Sequence, residues 1–394
     1  MKILLAMIEA PVPFGNAASR WFYVLLKELV ERGHHVTAFA ACSKGIEIEE
    51  SKRLFPAAKY DLRCFPFPVR RGIFAKLESY LKPYSYMFSK EFKREFNDEL
   101  TKSFDVIHLE QLWCSWLATN QRNRTLVNVH HLTWIDFEQI QQDPKTFSKD
   151  VHRMLQTERL LIRKMKHFRS CSPRLVPEML AENSNAIITT VPVGIDPALY
   201  PYVPDDVRST KPIISVIGTM RWYPSRSAAE RLLNRLWPEI HKQVPNASVQ
   251  IVGWSARSVL KDYLHLPNVT VEENVPNTRP YFERTSVLCY APGRGSGMKI
   301  KVLEAFGYGV PVVTTSEGVE GLPAIDGVHA GVCEDDAGLI QRTVELLKNV
   351  ESQNRQRSAA RQLLELHCGP KPTVDAIEAI YEDMTRTRLG VGNE

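Results

Sequence analysis

The 394-residue sequence predicts an α/β protein built from two doubly wound domains, each a parallel sheet covered by helices. Three observations lead there. The chain opens as a short apolar run, a glycine-containing loop, an amphipathic helix and a second apolar run, the pattern of a βαβ unit. A second alternating series begins near residue 211. Between the two lies 200–211 (YPYVPDDVRSTK), whose Pro, Asp, Ser and Thr mark a linker.

The elements follow in order. KILLAMI reads as a buried first strand and PVPFGNAASR as a loop. WFYVLLKELVERG is a helix whose Phe22, Leu25, Leu26, Leu29 and Val30 share a face, stopped by Gly33. HVTAFA, FDVIHLEQ and TLVNVHH continue the strands. A helix is expected around TERLLIRKMKHF, then a strand in AIITTVPVGID. The second series runs PIISVIGTM (strand), AAERLLNRLWPEIHKQ (helix), ASVQIVG (strand), TRPYFERT (short helix), SVLCYAP (strand), KIKVLEAFGYG (helix) and VPVVTTS (strand). The expected division is residues 1–198, residues 199–370, and a last helix, 371–394, packing back on the first domain. Doubly wound sheets bind ligands at the carboxyl ends of their strands, so the site is expected in a cleft where the two domains face each other.

Composition narrows the classes. Apolar residues make up 44% and charged residues 24%, which excludes extended disorder and coiled coil as the main architecture. No stretch approaches the ~20 apolar residues of a membrane-spanning helix. The first residues, MKILLAMIEAPVPF, imitate a signal peptide, but the apolar run is short and Glu9 breaks it, so a cytoplasmic protein is expected. Seven scattered cysteines, none spaced CxxC, form neither a disulfide framework nor a zinc site and suit a reducing compartment. The net charge of +5 points to small anionic ligands or an anionic surface, and is too small to argue for nucleic acid.

The sharpest motif is GRGSGMKIKVLEAFGYGVPVVTTSEGVEGL, residues 293–322. Gly293, Gly295 and Gly297 let the backbone approach a ligand, and the loop runs straight into a helix whose N-terminus favours a phosphate. Lys299 and Lys301 add positive charge, and Glu304, farther along the helix, can accept from a ribose diol. On pattern alone this is a diphosphate–ribose cradle, without a Walker lysine signature or a dinucleotide GxGxxG. A redox enzyme is disfavoured because the first βα turn lacks that GxGxxG motif.

This block resembles the donor-binding motif of retaining GT-B glycosyltransferases of the family 4 (group 1) branch. VPVGIDPALYP, IGTMRWYPSRSAAERLLNRLWPEI, VQIVG and NVPNTRPYFERTSVLCYAP resemble further elements of that branch, so the resemblance covers essentially the whole chain. It implies a GT-B fold of two Rossmann-like domains, an acceptor side in the first and nucleotide-sugar binding in the second. It implies transfer of a hexosyl or deoxyhexosyl group from a nucleotide-diphosphate sugar to a hydroxyl acceptor, such as a surface polysaccharide, lipid-linked glycan or small-molecule glycoside. No metal or other cofactor is implied.

Residue by residue, the resemblance implies that Glu304 holds the ribose. Arg294, Gly295, Ser296, Gly297, Met298 and Lys299 lie along the donor, with Gly218 in the GTM segment. The family's first glutamate falls at Ser296, where the carboxylate is absent. Thr219 stands where Arg is usual, so Arg221 and Arg226 are the nearby cations for the diphosphate, with Lys301. Gly15 and Asn16 match the first domain's glycine loop. His130 matches the histidine beside the donor sugar, with His131 as its alternative. His108 and Glu110 end a neighbouring strand and are expected to point into the cleft. The other readings are a non-catalytic nucleotide- or glycan-binding partner subunit, motivated by Ser296, and a nucleotide-sugar 2-epimerase.

Residues 63–94 carry eight basic residues against two acidic ones, interleaved with aromatics. That pattern marks a candidate contact with an anionic membrane surface, which would make the protein peripheral at the inner face. The alternative is a solvated helical pair whose aromatics are core or line an acceptor groove.

Overall fold

The computed structural model describes residues 1–69, 77–78, 80–138, 149–204, 208 and 211–390. Among these the chain divides into two compact units. Residues 1–134, 149–195 and 370–390 form the first, and 135–138 with 196–369 form the second.

The first unit is a seven-stranded sheet in the order β3-β2-β1-β4-β5-β6-β7, parallel at every pairing. Its strands are β1 Lys2–Met7, β2 His35–Cys42, β3 Asp61–Pro66, β4 Val106–Glu110, β5 Thr125–Val129, β6 His167–Ser170 and β7 Ile187–Thr190. Central β1, β4 and β5 are buried on both faces, as a parallel sheet covered on two sides requires. Helix Ala17–Glu31 buries Phe22, Leu25, Leu26 and Leu29, the expected face, plus Trp21 and Val24; Val30 lies at its margin. Asn16 caps the helix by accepting from the Ser19 amide at 2.9 Å.

One expectation is corrected. The helix expected to run through His167 and Phe168 stops at Lys164, and His167–Ser170 is strand β6, inserted between β5 and β7. Four residues are too few for periodicity to separate a strand from a helix end. The C-terminal helix Pro370–Leu389 belongs to this unit. Arg32 Nη1 reaches Asp375 at 2.6 Å and Glu378 at 2.5 Å, and Tyr381 Oη lies 2.5 Å from His108 Nδ1.

The second unit is a six-stranded sheet in the order β10-β9-β8-β11-β12-β13, again parallel. The strands are β8 Ile213–Ile217, β9 Ser248–Gly253, β10 Val269–Glu273, β11 Val287–Tyr290, β12 Val312–Thr314 and β13 Gly331–Val332. The long helix expected after β8 runs Tyr223–Arg231, widens to a π turn over Leu232–Leu236, and resumes as Trp237–Gln243. The widening immediately precedes Pro238, which has no N–H to give an α-helical bond.

No described helix is long and apolar enough to cross a membrane.

Candidate functional site

In the second unit, β11 feeds a loop that ends in helix Ile300–Tyr308. Lys299 is that helix's cap and supplies no side-chain hydrogen bond to it. Gly297 sits at φ 75°, a left-handed conformation that glycine adopts without strain. The loop amides have acceptors within the protein. Gly293 N–H donates to Ser227 Oγ at 2.9 Å, and Gly295 N–H to Glu317 at 3.1 Å. Gly297 N–H donates to Glu320 at 3.1 Å. Ser296 gives both its N–H (2.6 Å) and its hydroxyl (2.8 Å) to Asp136 Oδ1.

Asp136 is the acid that sequence reasoning missed. It comes from the short helix Thr133–Glu138, 160 residues earlier, and places a carboxylate on the residue that stands where the family's first glutamate is absent. Only a fold prediction that carried residues 135–138 into the second unit would have found it.

Lys299 was expected to present its charge to a ligand. It is only 6% exposed, and its ammonium donates to Gly297 O at 2.5 Å and to Ser296 O, with Glu320 Oε2 at 3.4 Å. It therefore holds the loop's shape. Glu304 is 1% exposed, and its Oε2 lies 2.7 Å from Lys301 Nζ, which retains partial exposure. The i,i+3 spacing puts this pair on one face of the helix.

Gly218 and Gly253 end β8 and β9 in close approach: a Cβ on Gly253 would lie 1.7 Å from Gly218 O. Arg221, in the turn after β8, donates Nε to Ser255 Oγ at 3.0 Å. Arg226 sits one turn into the next helix, its guanidinium 5.8 Å from the Tyr223 ring. Ser227 on the same helix ties that helix to the glycine loop through the bond to Gly293. Arg294 is exposed and Met298 half-buried in the same loop.

In the first unit, Gly15 and Asn16 lie exposed in the loop after β1, where Asn16 also caps the following helix. His130 follows β5. Its Nε2 is 2.9 Å from Glu110 Oε2, at the end of β4. Glu110 is fully buried and is the hub of a polar cluster. Trp21 Nε1–H donates to it at 3.0 Å and Asn128 Nδ2–H at 2.5 Å; His108 Nε2 lies 3.1 Å away.

His108 and Glu110 do not open to a ligand as expected. Both are fully buried, and His108 links Glu110 to Tyr381 of the C-terminal helix. Burial alone would raise the Glu110 carboxyl, but the hydrogen bonds and charges of His108 and His130 hold it well below the usual carboxylate range. Burial pushes the His130 imidazole below its ordinary value, outweighing Glu110, with Arg169 and His131 adding to the depression. In its neutral form, His130 with Nε2–H donated to Glu110 has Nδ1 as an acceptor.

The stretch 63–94 separates into two parts. Phe65, Phe88 and Phe92 are core, Phe65 and Phe92 packed on Phe39 and Phe88 on Phe92, whereas Tyr80, Leu81 and Tyr86 are exposed. Arg70, Arg71, Phe74 and Lys76 lie outside the described residues.

Two family models tile most of the chain: "Glycosyltransferase Family 4" over residues 18–199 and "Glycosyl transferases group 1" over residues 211–349. The chain belongs to the group 1 GT-B glycosyltransferases. Solved structures agree on the fold of this glycosyltransferase. Sucrose-phosphate synthase from Thermosynechococcus elongatus superposes with TM-score 0.70 at 14% identity, covering 98% of this chain and 99% of its own. Anabaena HepE, in complex with UDP and glucose, gives 0.65 at 12% identity, covering 98% and 99%. A glycosyltransferase from Rickettsia africae gives 0.64 at 15% identity, covering 97% and 98%. No curated protein matches this glycosyltransferase by sequence.

Proposed function

We propose that this glycosyltransferase moves a sugar from a nucleoside-diphosphate donor to a hydroxyl acceptor with retention at the anomeric carbon. The observation that carries the donor assignment is the pair of buried Glu304 and partly exposed Lys301 on the helix that follows the glycine loop. Glu304 accepts from the ribose diol, and Lys301, with Arg221 and Arg226, faces the charge that builds on the departing diphosphate. HepE, a structural neighbour solved with UDP and glucose, supports a nucleotide-sugar donor.

The loop's part is geometric. Asp136, Glu317, Glu320 and Lys299 hold the backbone of 293–299 in one shape, so the donor meets a preorganised surface. His130 orients the donor sugar, its Nδ1 accepting from a sugar hydroxyl because Glu110 engages Nε2. In the transfer, the bond from the anomeric carbon to the phosphate oxygen breaks and the acceptor oxygen bonds to the same face. The acceptor proton passes to the leaving phosphate oxygen, so the reading needs neither a protein base nor a metal.

The test is thermal stabilisation by UDP, GDP, ADP, CDP and dTDP. One nucleotide at 100 times its Kd should add about 2.7 kcal/mol to the wild type. Glu304→Ala should lose that shift, while Lys301→Ala should keep binding and lower turnover. A melt that no nucleotide moves, or a Glu304→Ala variant with wild-type response, overturns the assignment.

A further inference from the structure

We propose that the first unit carries a second anion site, remote from His130, for a compound with two or more phosphate groups. The site is an open cavity of ≈ 650 Å³ formed by the turn ahead of β5, the last turn of helix Lys149–Lys164 and the end of the C-terminal helix. Five cations line it: Arg122, Arg124, Arg163, Lys164 and Arg388. No Asp or Glu does.

These cations are positioned but scarcely neutralised. Arg124 donates to the carbonyls of Leu100 at 3.2 Å and Phe104 at 3.4 Å, and Arg388 donates to the Asp105 carbonyl at 2.9 Å. Lys164 Nζ stands 5.6 Å from the centroid of the Trp116 ring. Arg163 alone among the five is paired with a carboxylate in the described structure, Glu182 at 2.6 Å, which Arg159 shares. Burial, and then the neighbouring Arg388, push the Arg124 guanidinium down from its ordinary value.

Like charges gathered from three chain segments are favourable only with a counter-charge between them. A phosphate group carries about −1.5 to −2; with Arg163 paired to Glu182, one such group cannot balance the other four cations and two come close. Guanidinium forks match phosphate oxygens in pairs, and the cavity has room for a linked di- or triphosphate. Position separates this site from transfer chemistry. β5 rises about 3.3 Å per residue, which puts its amino end roughly 17 Å from His130.

Tripolyphosphate titrated calorimetrically into the full chain at low salt tests the proposal. Binding is expected to weaken with added salt, with hydrogen-exchange protection over 119–124 and 384–388. Arg122→Glu with Lys164→Glu should weaken it at least about tenfold. Among the described residues neither side chain makes a hydrogen bond or ion pair, Lys164 standing only near the Trp116 ring, and the single Arg122→Glu variant gives a second reading if the pair folds poorly. Lys301→Ala should bind as the wild type does. The proposal is overturned if the charge reversals leave affinity unchanged, or if protection appears over 293–304 instead. Flotation of the chain with phosphatidylglycerol–phosphatidylcholine vesicles, in the absence of tripolyphosphate binding, also overturns it and assigns the patch to a lipid surface.

Discussion

Glu110→Gln is the perturbation that most sharply tests the cluster behind His130. The carboxylate is fully buried and faces four nitrogens: Trp21 Nε1 and His108 Nε2 at Oε1, Asn128 Nδ2 and His130 Nε2 at Oε2. A glutamine keeps the size but turns one of the two oxygens into an NH2. Whichever way it is oriented, two N–H groups then meet a donor. Each buried group left unpaired costs about 1–3 kcal/mol, and removing one member of a buried ionic cluster costs about 3–5 kcal/mol. A loss of about 3–5 kcal/mol at pH 7 is expected, a large share of a domain's ~5–15 kcal/mol. Urea unfolding followed by tryptophan fluorescence reads it.

The pH dependence gives a second, independent readout. The folded carboxyl is held below its ordinary 4.5, so the unfolded chain takes up its proton first. Its stabilisation is complete above 4.5 and is lost as pH falls below that value toward the folded pKa. The gap between wild type and Glu110→Gln should therefore narrow below pH 4.5. His130 loses the partner that fixes its tautomer, so transfer should fall even in the folded fraction. A loss under about 1 kcal/mol, with a gap that does not change with pH, would refute an ionised Glu110 at the centre of this cluster.

Three further outcomes are expected. Asp136→Asn removes the charge that holds Ser296 through two bonds, each worth about 1.5–3 kcal/mol; amide exchange over 293–297 should quicken at least about tenfold, and unchanged exchange would refute its role in shaping the loop. Gly253→Ala drives a methyl to 1.7 Å from Gly218 O, and a melting curve should show a loss of about 1–3 kcal/mol or more; a wild-type melt would contradict the close approach of β8 and β9. Burial and Lys166 push the His167 imidazole down to about 4 from 6.5. Its stabilisation is complete above pH 6.5 and lost as pH falls toward 4, so His167→Asn should flatten the stability–pH curve there by about 1–3 kcal/mol, and an unchanged slope would count against a neutral, buried His167.

The alternation of apolar runs and amphipathic helices was enough to read the fold class, because a buried parallel strand and a helix with one apolar face each leave a local pattern. The central strands, the helix behind β1 and the glycine loop running into Glu304 were all legible on that ground. The edge strands β3, β10 and β13 were not, since short and half-exposed segments carry little periodicity, and β6 was hidden in what reads as a helix end.

The site divides along the same line. Residue types at fixed spacing pointed to Lys301 and Glu304, which lie one helical turn apart. What each neighbouring side chain does was decided by partners that the chain brings from far away. Lys299 looks like a phosphate ligand in sequence and folds its ammonium onto its own loop. Asp136 reaches Ser296 across 160 residues, and Tyr381 reaches His108 across 273. A charge or hydrogen bond acts over a few ångströms of space whatever the distance along the chain, so spacing names the residues that can do chemistry, and the packed structure determines which of them have already been given a partner.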